Sequence, residues 1–147
     1  IRDSCSNEVI FMKSILLSLF LNCLFFSILT LLELRIDVYL ANLLIILVPS
    51  ITSAILIIFT SKMKLYLWLN VISNLIFYII YSKYIMHLDG YLSYIERAQI
   101  NNSDIEIKIS PNMLELSQII FLFFVYLIPQ MIVVFIKHKR GEINARI

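Results

Sequence analysis

Four long apolar runs, at residues 14–32, 38–59, 65–81 and 116–136, are separated by short charged punctuation. Each is close to the ~20 residues that cross a hydrocarbon core about 30 Å thick at about 1.5 Å per helical residue. The pattern predicts an all-α integral membrane protein with four transmembrane helices. Two of the links, Glu33-Leu34-Arg35-Ile36-Asp37 and Thr60-Ser61-Lys62-Met63-Lys64, are too short for anything but antiparallel helical hairpins. Helices one, two and three are therefore expected to run up, down and up as neighbours. The third link, residues 82–115, is longer and is expected to be extracytoplasmic.

That link carries two periodicities. Tyr81, Tyr84, Tyr91 and Tyr94, with Ile85, Leu88, Leu92 and Ile95 at helical spacing, predict an amphipathic helix at the membrane interface, interrupted at Asp89-Gly90. Asp104-Ile105-Glu106-Ile107-Lys108-Ile109 alternates strictly and reads as a short strand or extended piece. One strand needs an edge, from a partner's sheet or a second copy; otherwise the segment is a half-ordered loop on the membrane. Ser110-Pro111-Asn112 breaks the chain before the fourth helix.

Composition agrees with this layout. Of the residues 61% are hydrophobic and only 15% charged, against about a quarter in soluble domains, so no second soluble domain fits beside the helices. The net charge of +2 is too small to imply direct nucleic-acid binding. The distribution of charge is more telling. From Met12 onward, Lys13, Lys62, Lys64, Lys137, Lys139, Arg140 and Arg146 fall on one side, and Arg35, Lys83, Arg97 and Lys108 on the other. The richer side is expected to be cytoplasmic, which places both termini inside a multi-pass protein of the cell membrane. Lys137, Lys139 and Arg140 form its cytoplasmic anchor, beside anionic headgroups.

Residues 1–11 are expected to be an untranslated or disordered extension preceding a single membrane domain, residues 12–147. The codons for Asn7-Glu8-Val9-Ile10-Phe11-Met12 can contain a purine-rich ribosome-binding site just before an initiator at Met12. A peptide spanning Asn7 to Lys13 in a proteome would disprove this. Cys5 then disappears and Cys23 stands alone in the first run, which argues against a disulfide framework. The first run is too long for a signal peptide and lacks a small-residue cleavage site, so it is read as an uncleaved spanning helix.

No Asp, Glu, Lys, Arg or His lies deep in any run, which argues against a proton-coupled transporter acting as a monomer. No spacing suggests catalytic residues, a cofactor site or a metal site; the only glycines, Gly90 and Gly141, make no phosphate loop. Neutral polar residues do enter the spans. Asn22, Asn42, Asn70, Asn74 and Gln130 are candidates for helix packing, and Asn42, Asn70 and Asn74 for a polar pocket. Ser18 and Asn22 lie one turn apart. Ser50 and Ala54 form a small-xxx-small step, and Pro49 and Pro129 are candidate hinges.

The opening Met12-Lys13 with Leu16-Leu17-Ser18-Leu19 and Asn22 resembles the start of the Msa ("modulator of SarA") family of staphylococcal membrane proteins. Val48-Pro49 with Ser53, Tyr66 with Asn70, Met86 with Leu88, Tyr94-Ile95, residues 104–109 and Lys137-His138-Lys139 extend the likeness to Arg140. The distal outer loop and the fourth helix depart from the family pattern. The resemblance implies a regulatory membrane protein without assigned enzymatic activity, a signal sensor or transducer that modulates a global virulence and biofilm regulator of the SarA type. Its cytoplasmic faces are too small to bind DNA unaided, so its expected partners are the lipid bilayer and another membrane protein, a sensor kinase or a second copy. Two other roles fit the same layout: a bacteriocin-type immunity protein, and a small subunit of a membrane transporter.

Overall fold

The computed structural model describes the backbone of residues 2–32, 35–60, 62–102, 105–107 and 109–144, and the side chains of residues 8–32, 35–60, 62–99 and 109–140. Five helices and one hairpin follow in order: α1 (Arg2–Leu32), α2 (Val38–Phe59), α3 (Met63–Met86), α4 (Tyr91–Ala98), β1 (Ile100–Asn102), β2 (Ile105–Ile107) and α5 (Leu116–Asn144). Among the described residues, α1, α2, α3 and α5 are long and apolar enough to cross a membrane. Their lipid-facing surfaces are lined by leucine, isoleucine and phenylalanine left exposed by the bundle, as a chain solvated by hydrocarbon requires.

Local chemistry sets the helix ends. Asp37 caps α2, its Oδ1 accepting from the amides of Tyr39 (2.8 Å) and Leu40 (3.3 Å). At the far end of α2, Lys137 Nζ donates to the carbonyls of Ile58 (2.7 Å) and Thr60 (3.3 Å), a cation on orphaned C-terminal oxygens. Near the same end of the bundle, Glu8 pairs with Lys62 at 3.2 Å, and the Lys62 ammonium lies 5.7 Å from the Phe11 ring centroid. The helical backbone of α1 thus begins at Arg2, well before the apolar run does. α3 stops at His87, and Gly90 (φ 91°) supplies the left-handed residue that turns the chain into α4.

The four long helices form a square in which α1 packs on α2 and α3, and α5 on α2 and α3. α2 also touches α3 across the diagonal. The most extensive contacts join α1 to α3 and α2 to α5. Each of these pairs is parallel and non-consecutive, in addition to the expected sequential contacts, which α1 with α2 and α2 with α3 also make. Polar side chains at matching depths on α1 and α3 decide adjacency.

Three expectations change. The third span runs on to Met86, so Tyr81 is buried in the bundle, its ring centroid 5.4 Å from Phe26, and not on an interfacial helix. α4 keeps only the second part of the predicted amphipathic stretch. It is folded onto the bundle, with Tyr91, Tyr94 and Ile95 buried. The alternating segment has its partner strand within the chain: β2 pairs antiparallel with β1, Ile100 opposite Ile107 and Asn102 opposite Ile105. A two-residue connection makes the local edge the nearest one available. Asp104 and Lys108 of that segment lie outside the described residues.

Candidate functional site

α3 carries Tyr66, Asn70, Asn74, Tyr78 and Ser82 at four-residue spacing, and all five are buried. That spacing places them along one face of the helix. Asn70 and Asn74 each centre a hydrogen-bonded cluster, and together the two reach every other spanning helix. From α1, Ser18 Oγ donates to Asn70 Oδ1, and Asn22 Nδ2 to Asn74 Oδ1 at 2.6 Å. Asn74 Nδ2 donates to Ser53 Oγ on α2 at 3.0 Å, and Asn70 Nδ2 to Gln130 Oε1 on α5 at 3.4 Å. Gln130 Nε2 donates back to the Tyr126 carbonyl at 2.8 Å. In hydrocarbon such interhelical bonds average about 0.6 kcal/mol and reach about 1.7, so four of them give register and a few kcal/mol together.

The two prolines exchange help across the α2–α5 interface. Pro49 has no N–H to give the Ile45 carbonyl, four residues back. Tyr126 Oη donates to that oxygen at 3.0 Å. Pro129 likewise leaves the Val125 carbonyl without its helical donor. Ser50 Oγ lies 3.3 Å from that oxygen, while also bonding the Ile46 carbonyl at 2.7 Å. An open backbone carbonyl at membrane depth is tolerated only when a neighbour re-satisfies it. Tyr126 does so in full for Ile45, whereas Ser50 shares its single hydroxyl hydrogen between Ile46 and Val125.

Toward the α4 end, α2, α3, α4 and α5 enclose a cavity of about 170 Å³. Its roof is the stretch from Ile109 to Met113. Tyr78 Oη donates to the Met113 carbonyl at 2.6 Å, and Tyr91 Oη to the Pro111 carbonyl at 3.0 Å. Asn42, Gln118 and Ser110 offer amide and hydroxyl groups among the apolar liners, and no lining side chain is charged. An apolar cavity of roughly 150 Å³ holds a benzene-sized molecule, so this one suits a small uncharged ligand with one or two hydrogen-bonding groups. Among the described residues, no group of three or more His, Cys, Asp or Glu side chains comes together.

The structure therefore brings Asn70 and Gln130 into one hydrogen-bonded cluster and Asn22 and Asn74 into a second, one turn along α3, and leaves Asn42 out of both. The pocket expected from Asn42, Asn70 and Asn74 does not form. Asn42 is exposed and lines the cavity, eleven residues or about 16 Å along α2 from Ser53. Lys137 turns onto the end of α2, while Lys139 and Arg140 are exposed on the last turns of α5. Sequence reasoning passed over Ser53, Tyr78 and Tyr126 as site residues. The period-four stripe on α3 signalled Tyr78. Only the packing of α2 on α5 reveals Tyr126.

The protein msa of Staphylococcus aureus strain USA300 is 30% identical to this chain over 133 residues, covering 87% of the chain and 99% of the relative. Its counterpart in the bovine strain RF122 is 30% identical over 129 residues, covering 88% and 96%. Strain COL carries a protein msa with the same 30% identity over 133 residues. No protein-family model and no solved structure matches the chain.

Proposed function

This chain belongs to the family of the Staphylococcus aureus protein msa, and from that footing we propose that it is a non-enzymatic regulatory protein of the cell membrane. It senses a signal on the α4 side and relays it to gene expression, modulating a virulence and biofilm regulator of the SarA type. Both termini lie in the cytoplasm and the segment between α3 and α5 lies outside, a topology supported by the excess of Lys and Arg at the termini and the α2–α3 link. The cytoplasmic faces are short, so the output runs through another membrane protein, a sensor kinase or a second copy, and not through direct contact with nucleic acid.

The observation that carries this reading is the cavity roofed through Tyr78. A ligand that competes for the Tyr78 hydroxyl frees the roof at Met113, and the same face of α3 bears Asn74 and Asn70. Occupancy at one end is thereby coupled to the register of all four helices. The test is the transcript level of the SarA-type regulator in a clean deletion of this gene. A change restored by the wild-type gene, but not by an Asn42→Phe variant present in the membrane at equal abundance, is the expected result. An unchanged transcript in the deletion, with the protein expressed in the parent strain, would refute the regulatory reading.

A further inference from the structure

A groove of about 450 Å³ lies between α3 and α5 at the end opposite the cavity. Its walls are apolar, with Leu67, Met131, Val134 and Phe135 facing one another. Its mouth carries Lys64 and His138, with the Trp68 indole one turn below Lys64. Along α5 it reaches from His138 to Leu127, eleven residues or about 16 Å at the helical rise. That is about half the ~30 Å hydrocarbon core, the depth of one leaflet.

The cations nearby are not equivalent. Lys62 is held by Glu8, and Lys137 by the end of α2. Among the described residues no ion pair engages Lys64. A lysine at headgroup depth above a leaflet-deep apolar trough matches a molecule with an anionic head and a hydrocarbon tail. We propose that this groove is a binding site for an anionic phospholipid, its phosphate against Lys64 beside His138 and one acyl chain lying along Met131 and Phe135. The bilayer itself supplies the ligand. Occupancy braces α3 against α5 on the side where Asn70 meets Gln130, which makes the bundle's packing sensitive to the anionic lipid content of that leaflet.

Trp68 is the only tryptophan, half exposed in the groove wall, and so reports directly. The full chain is reconstituted in phosphatidylcholine vesicles containing phosphatidylglycerol or phosphatidylcholine with brominated acyl chains at equal mole fraction, and quenching of Trp68 is compared. The expected preference for the anionic lipid is roughly fivefold, the effect of about one lysine at a membrane surface. Lys64→Gln brings the preference close to parity, whereas Lys83→Gln, at the other end of α3, leaves it unchanged. Val134→Phe, which fills the trough and keeps the charge, lowers quenching by both lipids. Equal quenching by the two lipids in the wild type, or a preference that survives Lys64→Gln, overturns the proposal. So does the absence of quenching by either lipid, the outcome if a second copy covers the groove.

Discussion

Tyr126→Phe tests the proline exchange at its most sensitive point. The substitution keeps the buried ring and deletes only the hydroxyl that meets the Ile45 carbonyl at 3.0 Å. Pro49 cannot supply a replacement donor. The oxygen is left unmet, at a cost of about 1–3 kcal/mol for a buried polar group. An ordinary interhelical bond in a membrane protein would lose nearer 0.6 kcal/mol, because its partner finds an alternative. Pro49→Ala provides that alternative: an alanine N–H at position 49 donates to Ile45 within the helix. In the Pro49→Ala background the same Tyr126→Phe change should therefore cost under about 0.6 kcal/mol, giving a coupling of about 1–2 kcal/mol. The measurement is a double-mutant cycle of unfolding in mixed micelles, followed by Trp68 fluorescence. Equal costs for Tyr126→Phe in both backgrounds would refute the reasoning, since the hydroxyl would then not be serving the proline's orphan.

Asn74→Ala removes interhelical bonds to both Asn22 and Ser53 and should destabilise the bundle by about 1–3 kcal/mol, while Asn42→Ala stays within about 0.5 in the same micelle assay. Tyr78→Phe releases the Met113 carbonyl and should raise amide exchange across residues 109–113 without changing exchange in α1. Asp37→Ala strips the α2 cap and should cost about 0.5–2 kcal/mol, with the amides of Tyr39 and Leu40 losing exchange protection first. Gly90→Ala meets no atom within 4 Å but must hold φ near 91°, so about 1–2 kcal/mol of backbone strain should appear as faster local opening of α4.

The spans were legible because lipid demands long apolar runs, and Asp37 and Gly90 mark their neighbours by chemistry that acts within a few residues. That α1 also lies along α3, and α2 along α5, was not legible. Ser18 and Asn22 announce a polar face on α1, and Asn70 and Asn74 one on α3, but nothing in either segment says that the two faces meet before the intervening α2 does. Asn42 shows the converse. It is an amide in an apolar run like the others, yet it sits three turns up α2 from Ser53, at the depth of the cavity and beyond reach of Asn70 and Asn74. The prolines were visible as interruptions. Their mutual repair was not, because the pairing of Tyr126 with position 45 and of Ser50 with position 125 exists only once α2 and α5 lie side by side. The period-two signal holds as a strand over Ile105–Ile107, but its partner strand, Ile100–Asn102, carries too little pattern to be seen alone.

The parallel docking of α1 on α3 also sets a schedule for synthesis. Ser18 and Asn22 enter the bilayer with the first helix, and the groups that receive them are 52 residues further along the chain. At about 5–20 residues per second the ribosome needs about 3–10 s to deliver them. During that interval the nascent first hairpin carries two hydrogen-bonding side chains with no built-in recipient. A membrane chaperone or insertase that shelters polar faces, or a quality-control protease that recognises them, would meet this protein in those seconds and lose its handle once α3 arrives.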